Sequence, residues 1–513
     1  MTTSAVTARA ARAVSVEAVG ITKRFGTSTA LEDVSFKVGR GSVHALLGEN
    51  GAGKSTLVKC LLGYHRADAG AFLIDDREAA IDHPRDADRL GLGMVYQHFT
   101  LVPSMSVAEN LVVARPGVGR VIDWRAERAR IAAFTAGMPF RVPLDRPVAS
   151  LAAGERQKAE IVKQLYLERR LLVLDEPTSA LTPAEAEEVL GLVRALAREG
   201  TLTAVVITHK LKEVAAFADA VTVLRRGRSV GGGPAAAYDA AALTRLMVGE
   251  APPPAPVGRR GAPDPAPRLV VRDLRTGSDG GRPGLRVDRL AVHPREIVGV
   301  AGVSGNGQRE LVEVLAGQRP RTGGAVEVSG VPYEARRGQA ERLGVRVLPE
   351  EPLRNGCVPA LSVADNLNLR RFDRDGAGRR RRWLDRRGMA ERARALIASY
   401  AIRTPSPDAP LAALSGGNVQ RVALARELDG RVECLVVANP CFGLDVKATA
   451  EIRARIVAAR DAGAAVLLVS EDLDEILELS DRVVVMREGR VVHETPAAGA
   501  DARAIGGHMV GHA

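Results

Sequence analysis

The sequence predicts an α/β protein built from two tandem copies of one phosphate-loop (P-loop) NTPase domain. Three observations carry this. A glycine-rich loop, Gly48-Glu-Asn-Gly-Ala-Gly-Lys-Ser-Thr56, stands between an apolar strand and a helix. Two carboxylates, Asp175 and Glu176, close a second apolar run, Leu171-Leu-Val-Leu174. The same order of segments then recurs in the second half of the chain, and collinear recurrence marks two copies of one fold. At 513 residues the chain also exceeds what one hydrophobic core serves.

Taken in order, residues 1–13 carry Arg9 and Arg12 but no apolar segment, and read as a disordered tail rather than a secretory signal. Val16 to Lys37 alternates apolar and polar residues around Gly26-Thr-Ser28, the pattern of antiparallel strands. Phe25, beside that turn, is either a platform on which adenine stacks or core filling. Val43-His-Ala-Leu-Leu47 reads as a buried strand and Leu57-Val-Lys-Cys-Leu-Leu62 as a helix, which places bound phosphate at a helix N-terminus. Gly48, Gly51 and Gly53, with Asn50 among them, let successive N–H groups converge on an anion. Lys54 would reach the β- and γ-phosphates, the Ser55 hydroxyl would ligate Mg²⁺, and Thr56 completes the loop. A glycine-rich turn could match by chance, but here the strand and the helix both flank it.

Ala71 to Ile74 and Leu92 to Tyr96 read as strands, and Gln97 ends the second. Ser106-Val-Ala-Glu109 is a capping box, and from there to about Val148 the chain reads as mostly helical. Ser150 to Lys158 opens an amphipathic helix that ends near Arg170. At the end of the strand that follows, Asp175 is placed to hold Mg²⁺ and Glu176 to polarise an attacking water. Thr203 to Thr208 is a further strand delivering His209 as a γ-phosphate contact, and Lys210 to Phe217 is a helix. Gly231 to Ala235, and then 251–267, are rich in glycine or proline and read as semi-extended linker. The first domain therefore spans 14–250 and the second 268–510.

Composition narrows the function. The formal net charge is +11, but the basic residues are spread along the chain without a nucleic-acid motif or interleaved aromatics, so no nucleic-acid partner is expected. One dense run, Arg379 to Arg382 with Arg386 and Arg387, reads as a solvated helix end or as a contact for anionic lipid. Cys60, Cys357, Cys434 and Cys441 show neither zinc nor disulfide spacing and suit a reducing cytoplasm. No apolar run reaches the ~18 residues that span a bilayer.

With these residues in hand, the chain resembles the ATP-binding subunits of ABC transporters. More narrowly, it resembles the fused double-cassette subunits of bacterial ribose, simple-sugar and nucleoside importers. The resemblance runs from about Val14 to Met509. It rests on the phosphate loop, Gln97, a Leu-Ser-Gly-Gly-type signature, the Asp-Glu-Pro strand and His209, in that order. It implies a mixed sheet core with antiparallel and helical subdomains in each cassette, and ATP and Mg²⁺ as ligands. Lys54, Gln97, Glu176 and His209 would be catalytic, and Ser55, Gln97 and Asp175 would hold the metal. It also implies separate permease subunits, an extracytoplasmic binding protein, and a peripheral place on the cytoplasmic face of the membrane.

In that family two cassettes face each other head to tail, so each nucleotide lies between one loop and the opposite signature. The two copies here are unequal. Gln308 and Arg309 replace Lys54 and Ser55, while Ala438, Asn439 and Glu471 replace Asp175, Glu176 and His209. Glu350 stands in the place of Gln97. The second copy keeps an intact signature, Leu414-Ser-Gly-Gly-Asn418, whereas the first has Leu151-Ala-Ala-Gly-Glu155. Ser415, Gly416, Gly417 and Asn418 would therefore complete the one competent site, and all the losses would fall on the other. Met94 to Pro103 and Thr208 to Val214 look most like nucleoside-type subunits, with ribose-like sugars the alternative. A soluble double-cassette ATPase acting on ribosomes or DNA is the other class. Against it stand the eroded cassette, the short Pro-rich linker and the absence of cysteine pairs or coiled coil.

Overall fold

The computed structural model describes residues 12–26, 28–49, 51–96, 99–119, 121–179, 181–208, 210–249, 264–278, 284–303, 305–374, 382–442, 444 and 446–510. The chain divides into two compact units, Met1–Pro253 and Pro254–Ala513.

In the first unit a four-stranded antiparallel sheet runs Ser28–Val38, Val16–Phe25, Ala69–Ile74, Arg77–Ala79. A six-stranded sheet runs Arg228–Pro234, Ala220–Arg225, Val43–Leu47, Thr203–Ile207, Leu171–Asp175, Leu92–Val95. All its pairings are parallel except that of Arg228–Pro234 with Ala220–Arg225. Val43–Leu47 and Thr203–Ile207 are buried at every position, the pattern of parallel strands covered on both faces. Because these strands are parallel, the segments after Leu47, Asp175 and Ile207 all leave from one edge, where ligands of open α/β sheets bind. The second unit repeats the plan. Its six-stranded sheet runs Val345–Leu348, Cys434–Ala438, Ala465–Val469, Ile297–Ala301, Arg482–Arg487, Arg490–Pro496, the same order read from the other end.

A helical portion of the first unit, Val107–Ala114, Trp124–Thr135 and Ala153–Tyr166, packs Leu111, Ile131 and Ile161 into one core. Ser106 Oγ accepts from the Glu109 N–H while Glu109 Oε2 accepts from the Ser106 N–H, so the expected capping box is formed.

Three expectations need correction. Ala13 is fully buried and its N–H donates to Gly200 O at 3.0 Å, so the tail expected over 1–13 does not reach its last residues. Gly231–Pro234 is no linker but the end of an edge strand. A Cβ at Gly231 would come within 2.9 Å of Leu246 Cδ1, so glycine there admits the covering helix Ala240–Val248. Between Thr135 and Val148 there is no helix. Of the expected linker 251–267, residues 251–263 lie outside the described residues, while Asp264 O already accepts from His293 Nδ1.

His44 shows what burial does to a titratable group on the central strand. Its Nε2 pairs with Thr222 Oγ1 at 2.8 Å, Nδ1 has no partner, and burial pushes its pKa down to about 4 from 6.5. Between those values the unfolded chain binds a proton that the folded chain refuses, so stability falls as pH falls from 6.5 to about 4. The loss is about 3 kcal/mol. Chemical denaturation at pH 7 and pH 4.5 should show this drop, and His44→Phe should remove most of it.

Candidate nucleotide site

The loop after Val43–Leu47 depends on glycine at two points. Gly48 has φ +148°, and a Cβ there would lie 2.3 Å from Leu224 O. Gly53 has φ +105°, and its Cβ would lie 2.7 Å from Leu31 Cδ2 and 2.9 Å from Ala30 O. The helix Lys54–Leu61 starts directly afterwards, with Ser55 exposed and Thr56 half-buried in its first turn. Lys54 Nζ donates to Gly48 O at 2.6 Å and to Glu49 O at 3.0 Å, which holds the ammonium over the loop. Burial lowers the Lys54 pKa, against the pull of Glu176, Asp175 and Glu49. The fold thus gathers the predicted cation and both predicted carboxylates. Gly53→Ala should destabilise the first unit by about 2 kcal/mol or more, from backbone strain plus the collision, readable as a lower denaturation midpoint.

Asp175 ends its strand opposite Ile207, and Glu176 breaks out of it. Glu176 has φ +47°, a left-handed conformation uncommon for Glu, and its N–H donates to Ile207 O at 2.9 Å. The second unit repeats the kink at Asn439, with φ +43° and a 2.7 Å bond to Val469 O. Backbone geometry is therefore kept where side-chain chemistry is lost. Asn tolerates this conformation better than Glu, so the kink is the more strained in the first unit.

In the second unit Gly307 reproduces φ +105°, and Gln308 replaces the lysine. Gln308 is buried, and its Nε2 donates to Val303 O at 3.2 Å. Arg309 is turned onto Glu313 at 2.7 Å. Asn439 Nδ2 donates to Glu350 Oε1, and Asn439 Oδ1 accepts from the Glu471 N–H, both at 2.9 Å. The residues that stand in for Glu176, Gln97 and His209 thus belong to one hydrogen-bonded chain.

Comparison with known proteins agrees with this geometry. The model of a family described as "ABC transporter" matches residues 31–179 and 285–441. The chain belongs to the ABC transporter family. It is 41% identical over 94% of its length to a ribose import ATP-binding protein of Rubrobacter xylanophilus, covering 95% of that protein. It is 38% identical over 96% of its length to a glucose import ATP-binding protein of Haloferax volcanii, covering 94% of it. To a nucleoside import ATP-binding protein of Lactococcus lactis the identity is 35%, over 93% of this chain and 94% of that one. As an ABC protein the chain binds ATP, is an ATPase coupled to transport, and works with membrane permeases. Among the described residues no helix is long and apolar enough to cross a membrane.

The ABC signature segments differ in structure as well as in sequence. At the start of Ala153–Tyr166, Glu155 Oε2 accepts from the Ala152 N–H at 2.8 Å, so that helix start is capped by its own carboxylate. At the start of Gly416–Glu427, Ser415 and Gly416 are exposed, and Ser415 Oγ accepts from Asn418 Nδ2 at 2.9 Å. Among the described residues, nothing outside its own helix backbone comes within 4 Å of a Cβ built at Gly416, while one at Gly417 would meet Leu444 Cδ2 at 3.2 Å.

Phe25 is 46% exposed, with its ring edge against His65, and is not core filling. Asn50, Gln97 and His209 lie outside the described residues. Sequence reasoning missed Glu213. Thr178 and Thr208 both donate their hydroxyls to it, which ties the turn after Glu176 to the end of the strand Thr203–Ile207. The repeat could have revealed it, because Glu475 accepts from Ser470 Oγ in the same place at 2.7 Å.

Proposed function

We propose that this chain is the ATP-hydrolysing subunit of an ABC importer. It would couple one competent nucleotide site to uptake of a nucleoside or simple sugar through separate permease subunits. The first domain, expected over 14–250, would also take in Ala13, and the second, expected over 268–510, would also take in Asp264. The chain would work at the cytoplasmic face of the membrane, with an extracytoplasmic binding protein delivering the substrate. The relatives' names support an importer, and both sugar and nucleoside relatives are similar over nine-tenths of the chain. The observation that carries the reading is the inequality of the two loops: Lys54 beside Asp175 and Glu176 in one unit, and Gln308, Ala438 and Asn439 at the matching positions of the other.

Gly48 and Gly53, where a Cβ would collide with Leu224 O or with Leu31 and Ala30 O, hold the loop in its tight turn, and its N–H groups at the helix start would take a phosphate chain. Lys54 would balance the β- and γ-phosphate charge. Glu176 would accept hydrogen bonding from the attacking water and orient it, with His209 and Gln97 beside it. Phe25 would take the adenine, and Gly48, Asn50, Gly51, Gly53, Ser55 and Thr56 the phosphates. Mg²⁺, when bound, neutralises charge on the phosphate oxygens, and Ser55, Asp175 and Gln97 would hold it. Following the family, Ser415, Gly416, Gly417 and Asn418 would complete the site, and the second loop would be inert.

Two measurements test this. Gly416→Ala should leave folding stability unchanged or raise it by up to about 1 kcal/mol, since alanine favours helix and meets nothing among the described residues outside its own helix backbone. Phosphate release should nonetheless fall about tenfold or more, because the γ-phosphate would lose an approach that only glycine permits. Uptake of labelled nucleosides and pentoses by cells carrying Glu176→Gln identifies the substrate. Loss of one uptake names it, and loss of neither rejects the importer.

A further inference from the structure

A cavity of about 200 Å³ opens in the second unit beside the edge strand Val345–Leu348, next to a smaller cleft lined by Arg309, Glu350 and Ala438 with which it shares Gln318, Pro349 and Asn355. Its floor includes Ala316, Val347 and Pro349, its wall Arg370 and Arg426, and the exposed Gln318 also lines it. The two arginines share one carboxylate. Arg370 Nη2 lies 2.7 Å from Glu427 Oε2, Arg426 Nε lies 2.8 Å from Glu427 Oε1, and Glu427 is fully buried. Arg337, also lining the cavity, is matched by Asp373 at 2.9 Å. Among the described residues these three guanidiniums therefore share two carboxylates, those of Asp373 and Glu427.

The first unit shows that this is not a general property of the fold. Tyr64 and Gln318 hold the same backbone position, each donating N–H at 2.8 Å to the residue five before it, Lys59 and Glu313. Tyr96 and Pro349 each follow the edge strand directly. In the first unit the two tyrosines stand at these places and meet hydroxyl to hydroxyl at 2.7 Å. In the second, Gln318 and Pro349 line the cavity. The charge differs too: Lys163, at the place of Arg426, has its own carboxylate in Glu160 at 2.7 Å, whereas Ala423 stands there in the second unit.

We propose that this cavity binds a small organic phosphate. Arginine is the side chain suited to planar, multiple hydrogen bonding of phosphate, and a buried arginine here is only partly matched. The volume holds more than inorganic phosphate but less than a nucleotide-sized pocket would need, which favours a phosphate carried on a compact body such as a sugar.

Calorimetric titration of the intact chain with ribose 5-phosphate, ribose and inorganic phosphate tests this. Ribose 5-phosphate should bind once per chain. Inorganic phosphate should bind at least tenfold more weakly, ribose should not register, and saturating ATP should leave the affinity unchanged. Gln318→Tyr, which puts a ring where the first unit has Tyr64, and Ala316→Leu, which fills from the floor, should each abolish binding without lowering ATPase activity. No binding of ribose 5-phosphate, its displacement by ATP, or full binding in a folded filling variant would each overturn the proposal.

Discussion

Glu176→Gln should lower steady-state ATP hydrolysis at least about a hundredfold while ATP binding persists. The carboxylate would act as general base, a role worth roughly 10²–10⁴ in rate, and glutamine keeps the shape without the charge. Asp175, the preceding residue, ends the strand on the other side of the kink and does not take its place. The left-handed backbone at Glu176 makes a companion variant informative. Glu176→Asn copies Asn439 and should be as inactive as the glutamine variant, yet more stable by about 0.5–1 kcal/mol, because Asn tolerates φ near +45° better. Phosphate release together with a denaturant titration separates the two effects. Activity within tenfold of the unmodified protein in either variant would remove Glu176 from the site.

Lys54→Ala and Gln308→Ala should behave in opposite ways although they alter matched positions. Lys54→Ala removes the cation facing the phosphates, and hydrolysis should fall about 10²–10³-fold, the usual scale for a preorganised charge partner. Stability should change little, since the two hydrogen bonds of Nζ are lost together with the desolvation of its charge. Gln308→Ala should leave hydrolysis unchanged and cost about 1–2 kcal/mol, because a buried side chain and its bond to Val303 O disappear. Parallel assays on the two variants decide the matter. Equal loss of ATPase in both would mean that the second loop is catalytic and that the inequality of the units has been misread.

Much of this was legible because its signals are local. The loop, its strand and its helix lie within some twenty residues, and glycine spacing with apolar runs encodes them directly. The misreadings share a cause. Gly231 to Pro234 has the composition of a linker, and only its partner strand Ala220–Arg225 and the helix above it make it a strand. Ala13 lies next to a polar N-terminus, and its burial depends on Gly200, far along the chain. Glu213 looked like any charge on a short helix until Thr178 and Thr208 were brought to it from two strand ends.

By itself the sequence determined two copies of a phosphate-loop fold, the residues expected to meet a nucleotide, and which copy differs from the motif at those positions. Each of these is a matter of residue type at close spacing. Tertiary structure alone decided that Lys54 faces Asp175 and Glu176, that the kink survives at Asn439, and that Glu155 caps its own helix start while Gly416 stands open. It also decided that a pair of tyrosines meets in one unit where, in the other, Gln318 and Pro349 line an arginine-walled cavity. These depend on parallel strands bringing distant segments to one edge and on volumes left between elements, neither of which local periodicity carries.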